Sequence, residues 1–178
     1  TFERYAKGVQ CLLQDSAFDE LRRVSVLKGQ RGRRAGRGRI PVEGRRNAIF
    51  VCLRALPENR WVSIEEANRV LYALGEDGRA YGDGMCLYIG ELQYGHLSGQ
   101  ETDIGRIYFR QLISASLATL GLVDLGYAYP HYLHPELNGS WGLDDEVYVT
   151  RYDGVKYIRV TPLGRFCLGV DSAYDPPE

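Results

Sequence analysis

Between Lys28 and Arg39 the chain carries six cations and four glycines with no acid among them, and this run limits where a folded core can form. The wider stretch over residues 22–46 holds ten basic side chains and one acid, a local +9, although the whole chain of 178 residues nets −1. Everything outside it therefore sums to −10. A basic segment on an acidic body has two surfaces with different uses. Sequence this rich in glycine and like charge does not pack into a core, so it predicts an arm that stays mobile unless an anionic partner holds it.

The flanking sequence is able to fold. The chain is 44% apolar and 11% aromatic with a single Met, a globular composition at a length that suits one ordinary domain with a peripheral arm, or two small modules. No run of about 18 apolar residues and no apolar leader occurs, which predicts neither a membrane-spanning nor a secretory segment. The opening Thr-Phe-Glu-Arg, in place of Met, predicts a domain of a larger protein. Cys11, Cys52, Cys86 and Cys167 are far apart and form no Cys-x-x-Cys pair. They read as free, mostly buried thiols in a reducing, cytoplasmic compartment rather than as a metal site.

Apolar spacing predicts the elements. Phe2, Tyr5, Val9, Leu12, Leu13, Phe18 and Leu21 suit one amphipathic helix or two short ones, packed on the body or on a second copy of the chain. Ala48 to Leu56 predict a helix stopped near Pro57, and Trp61 to Ile64 a short extended piece. Ser63 with Glu66 forms a capping box for a helix that runs to Gly75. Met85 to Ile89 read as a short strand or aromatic plug, and Leu92 to Leu97 as an ordered turn. Phe109, Leu112, Ile113, Ser116, Leu117 and Leu120 mark the buried stripe of a helix over 104–120, ended by Gly121. Arg106, Arg110, Gln111 and Ser114 then fall on its open side. Leu122 to Tyr127 predict a strand. Asp153-Gly154 predicts a two-residue hairpin turn that sets Val149 opposite Ile158, Val147 opposite Val160, Tyr148 opposite Arg159 and Thr150 opposite Tyr157.

Helix, short strand, capped helix, third helix, Leu120-Gly-Leu-Val123, strand, hairpin and the closing Tyr157-Ile-Arg-Val-Thr-Pro-Leu-Gly164 resemble a winged helix-turn-helix domain over residues 47–168. The fold class is then α+β. Residues 1–46 form a helical and Arg/Gly-rich arm, 76–103 a long insertion between the second and third helices, and 169–178 a tail. The resemblance implies that the third helix enters the major groove of double-stranded DNA. Arg106 and Arg110 would contact phosphates or guanine edges, and Gln111 and Ser114 base edges. Arg151 and Lys156, facing each other across the hairpin turn, would reach the backbone or minor groove. Arg31, Arg33, Arg34, Arg37 and Arg39 offer planar contacts to phosphates from the arm.

Charge opposes that reading for the body alone, since residues 47–178 hold ten basic and eighteen acidic side chains and gain little from counterion release. The alternative keeps the fold and changes the partner to protein: an interaction or dimerisation module using the acidic body and Tyr72, Tyr81, Tyr88, Tyr94, Tyr127, Tyr129 and Tyr132. The Arg/Gly run also reads as a soluble linker, or as a strap across its own acidic body. Catalysis is not expected. His131 and His134 with Asp144 and Asp145 lack a helix to align them and a third ligand at a recognisable spacing. Gly36-x-Gly38 lacks the preceding strand of a dinucleotide site, and no serine has an identifiable acid-base pair. No cofactor or metal is therefore expected.

Overall fold

The computed structural model describes residues 2–24, 27–28, 40–75, 88–91, 95–98, 101–128 and 150–176. Arg31, Arg33, Arg34, Arg37 and Arg39 lie outside them, as do Gly36, Gly38, Cys86, His131, His134, Asp144, Asp145, residues 147–149, and Tyr81, Tyr94, Tyr129 and Tyr132.

Helix α1 (Phe2–Gln14) and a 3-10 turn (Glu20–Arg23) lead to strand β1 (Leu27–Lys28). Helix α2 (Val42–Ala55), β2 (Val62–Ser63) and α3 (Ile64–Ala73) follow. A hairpin of β3 (Tyr88–Glu91) and β4 (Gly95–Ser98) precedes α4 (Glu101–Leu112), whose last turns widen into a π-turn (Ile113–Leu117). Strands β5 (Val123–Tyr127) and β6 (Val155–Val160) and helix α5 (Pro162–Cys167) complete the order. The strands form two antiparallel sheets, β1-β3-β4 and β2-β6-β5.

One core joins the layers. Val9 and Leu13 of α1, Ile49 and Leu53 of α2, Ile64 and Leu71 of α3, Ile107 and Phe109 of α4, and Val123, Ile158 and Val160 of the sheet are all buried in one cluster. The Ser63 capping box forms as expected. The Ser63 hydroxyl accepts from the Glu66 N–H at 3.1 Å, and the Glu66 carboxylate accepts from the Ser63 N–H at 3.1 Å. Gly121, at φ +68°, ends the third helix as expected. Thr161 caps α5 by accepting from the Gly164 N–H at 2.9 Å, and Pro162 takes the first helical position, where its missing N–H costs nothing. Gly164 is there for space, because a Cβ would overlap the Leu122 carbonyl.

Two expectations are corrected. Helix α2 begins at Val42 rather than near Ala48, so Arg45 and Arg46 are helical and 2% exposed instead of belonging to the basic arm. Their charges are met from the segment after α1. The Arg45 Nη1 lies 3.1 Å from the Asp19 carboxylate, and the Arg46 Nη2 lies 2.8 Å from the Glu20 carboxylate. Arg46 also donates through Nη1 to the carbonyls of Leu12, Leu13 and Asp15 at 3.2, 2.8 and 2.8 Å, and through Nη2 to that of Phe18 at 2.7 Å. The end of α1 thus has carbonyl acceptors that its own helix leaves unpaired, and a buried cation takes them up. Tyr5 Oη to the Leu120 carbonyl at 2.7 Å and Gln10 Nε2 to that of Cys167 at 3.3 Å fasten the rest of α1 to the body.

The second correction concerns the hairpin. Strand β6 has neighbours on both sides: Ile158 pairs with Leu125 and with Val62, and Tyr157 with Gly126 and with Ser63. No edge remains at these residues for Val149 or Thr150. Asp153 instead closes a turn ahead of the strand, its carboxylate accepting from the Thr150 N–H at 3.1 Å and from the Thr150 hydroxyl at 2.7 Å. The Asp-Gly signal located the turn, but the partner strand lies about thirty residues upstream.

Removing one partner of a buried ion pair strands the other charge. Arg46→Ala should therefore lower unfolding stability in urea by about 3–5 kcal/mol, while a change at exposed Arg22 should cost little. The Glu66 carboxyl is held below the ordinary carboxylate range, first by the Ser63 N–H and then by its hydroxyl. A lowered folded value means the cap contributes fully above the unfolded carboxylate range and fades as pH falls through the folded value. Ser63→Ala should cost about 1 kcal/mol at neutral pH, with the gap between variant and parent closing in acid.

Candidate interaction surface

Helix α4 was the expected reader of a partner, and its surroundings decide whether it can act as one. From Ile104 to Ser114 every residue is buried except Arg106. The buried stripe does contain Phe109, Leu112, Ile113 and Leu117, but Ile104, Ile107 and Tyr108 are buried as well. A surface helix keeps one polar face in water, whereas a helix covered all round belongs to a core. Tyr108 packs under the Arg45 guanidinium, 5.0 Å from ring centroid to charge centre. Burial, and next the Glu20 charge, raise its hydroxyl pKa above the ordinary tyrosine value.

The expected contact residues therefore separate. Arg106 is exposed on α4, and Arg151 on the turn before β6. Arg110, Gln111 and Ser114 are only 5%, 6% and 8% exposed, so they do not form the open face expected of them. The reason is helical geometry: the periodic apolar stripe located one buried face, but the 3-10 turn and, through Arg45, helix α2 also cover α4. Lys156 is half-buried and is the extra residue of a β-bulge, lying between the pairs Gly126–Tyr157 and Tyr127–Val155. It does not sit in a two-residue hairpin opposite Arg151. Of the tyrosines expected at an interface, Tyr72 and Tyr127 are exposed.

The open surface is the outer face of β2-β6-β5. Strand alternation sends Ile158, Val160 and Val123 inward, and Tyr157, Arg159 and Asp124 outward. Trp61, just before β2, lies beside them. Trp61 is 49% exposed and Tyr157 48%; Tyr127, 64% exposed, stands at the end of β5, where it pairs with Val155. Arg159 sits over the Trp61 ring at 5.0 Å and is held from below by Asp124, which accepts from its Nε at 2.9 Å and from its Nη2 at 2.7 Å. Gly126 is the floor of this cluster: a Cβ there would stand 3.0 Å from Tyr157 Cβ and 3.4 Å from Trp61 Cζ3. The two rings cover its bare backbone from the opposite strand and from the neighbouring loop, the arrangement in which aromatics compensate a strand glycine.

No protein-family model, curated protein or solved structure matches this chain. Among the described residues no group of three or more His, Cys, Asp or Glu side chains is placed to hold a metal, and no helix is long and apolar enough to cross a membrane. The described cysteines are all free. Cys52 is buried, with its Sγ donating to the Ala67 carbonyl at 3.2 Å and burial pushing its pKa up to about 12. Cys167 is buried too, whereas Cys11 is exposed, against the expectation for buried thiols.

The polar-aromatic face of β6 is legible in the sequence through Tyr157 and Arg159. Their junction with Trp61 is not, because nothing local says that β2 and β6 are neighbours. The missed signal was the Gly126 inside an otherwise regular strand, which marks a place where another group approaches closely. Asp124 and Arg159 are both partly exposed, so Asp124→Ala should cost less than about 1 kcal/mol in chemical denaturation. Gly126→Ala should crowd Tyr157 at its Cβ and put a methyl group against the Trp61 ring, changing its fluorescence, a change that a Trp61→Phe background removes.

Proposed function

We propose that the chain is a non-catalytic protein-interaction domain of winged-helix type, docking a protein partner on the outer face of β2-β6-β5. The architecture supports the winged-helix reading through its order of α2, β2, α3, α4, β5, β6 and α5, and through the placing of β6 between β2 and β5. On that reading the segment between β5 and β6 is the wing. The observation that carries the protein-binding reading is the joint exposure of Trp61 and Tyr157 beside an oriented arginine. Trp, Tyr and Arg are the side chains that dominate binding energy at protein interfaces, and rings already fixed by neighbours lose little freedom on docking.

DNA reading by α4 has less support. Arg110, Gln111 and Ser114 are buried, which leaves Arg106 and Arg151 as the exposed cations among the residues assigned to the helix and wing. Electrostatic attraction for DNA would fall to the Arg/Gly stretch rather than to the body.

The double variant Trp61→Ala, Tyr157→Ala separates the readings. Affinity capture with the intact chain, followed by titration of the purified captured protein, should show binding weakened at least tenfold by the double variant and unchanged by Arg106→Ala. Solution mass of both forms tests whether the partner is a second copy. Salt-dependent binding of a labelled 20-base-pair duplex that Arg106→Ala weakens, with the double variant silent in every assay, would return the function to DNA.

A further inference from the structure

A cleft of about 610 Å³ opens between α1, α2 and the end of α5, away from the aromatic sheet face. That volume lies within the range of about 300–1,000 Å³ common for small-ligand sites. We propose that the cleft binds a short extended peptide with both termini free, its carboxylate at Arg54 and its ammonium group at Glu43. The inference is independent of the sheet-face reading.

Arg54 lines one end of the cleft. Its Nε donates to the Leu168 carbonyl at 2.9 Å, which orients the guanidinium, and among the described residues its two Nη groups have no acceptor. Glu43, on the same helix, has no ion-pair partner among the described residues. Eleven residues of helix separate the two, so they share a face and their Cα atoms lie about 16 Å apart. Four extended residues span about 13–14 Å, and the two side chains cover the remainder. A guanidinium whose Nη1–Nη2 edge is free suits a terminal carboxylate, and a lone carboxylate suits an ammonium group.

The middle of the cleft fits the same ligand. Leu13, Phe50 and Leu168 are buried apolar residues in its wall, able to receive an apolar side chain. Gln14 and Asn47 are exposed beside them and make no hydrogen bond among the described residues. Each primary amide offers both a donor and an acceptor, the pair of groups that a peptide unit presents in return. A nucleotide or other polyanion fits less well, because Glu43 would oppose its charge and Arg54 is the one basic residue in the lining.

Isothermal titration of the intact chain with the free tetrapeptide Gly-Leu-Phe-Ala tests the assignment, alongside its N-acetyl and C-amide forms. Saturable binding is expected for the free peptide, about tenfold weaker once the carboxylate is amidated. Arg54→Gln should weaken the free peptide by the same factor and leave the amidated form unchanged, and Glu43→Gln should do likewise for the acetylated form. Because Arg54 also holds the Leu168 carbonyl, thermal melts accompany the variants, and the capped peptides on the unaltered chain decide the matter if Arg54→Gln does not fold. Absence of saturable binding at millimolar peptide, or equal affinity for the doubly capped peptide, would overturn the proposal.

Discussion

Two buried ion pairs, Arg45 with Asp19 and Arg46 with Glu20, hold the N-terminal segment to the rest of the molecule. A buried charge is tolerated only when it is paired and its remaining hydrogen-bonding capacity is filled. Arg46 meets both conditions, its guanidinium reaching the Glu20 carboxylate and four main-chain carbonyls between Leu12 and Phe18. The end of α1, the 3-10 turn and the first turns of α2 are thereby fixed relative to one another. Tyr108 packs against the same cluster, so α4 is drawn into the core from the side where a surface helix would have met water. The burial of α4 on this side follows from that arrangement.

What was legible in the sequence depended on how local the determining interaction is. The Ser63–Glu66 capping box, the Gly121 stop and the stripe of Phe109, Leu112, Ile113 and Leu117 lie within a turn or two of their partners, and each is present. The α2 start was hidden because Arg45 and Arg46 continue a run of cations, and their acidic partners sit 26 residues away. The hairpin failed for a related reason. Asp153-Gly154 is a strong local turn signal, but strand partners are chosen by apolar faces that may come from anywhere in the chain, and Val123 and Leu125 supplied them. A β-bulge at Lys156 then removed the register that a two-residue turn would have imposed.

The candidate surface was legible residue by residue and not as a site. Tyr157 and Arg159 read as the polar-aromatic face of a strand and Trp61 as the start of a short extended piece, yet only the pairing of β2 with β6 puts the indole beside the strand, within contact distance of Gly126. The charge argument has a matching correction. Part of the basic stretch is internal structure, since Arg45 and Arg46 are neutralised by Asp19 and Glu20, so the positive charge free to meet a partner is smaller than a sum along the sequence indicates.

Hydroxyl-radical footprinting of the isolated chain, read residue by residue by mass spectrometry, tests the division into a buried α4 and an open sheet face most directly. Trp61, Tyr127 and Tyr157 should label strongly, while Tyr108, Phe109 and Ile107 stay protected until the chain is unfolded. Labelling of Tyr108 and Phe109 at rates close to that of Trp61, or protection of Trp61 and Tyr157 in the isolated chain, would contradict the account.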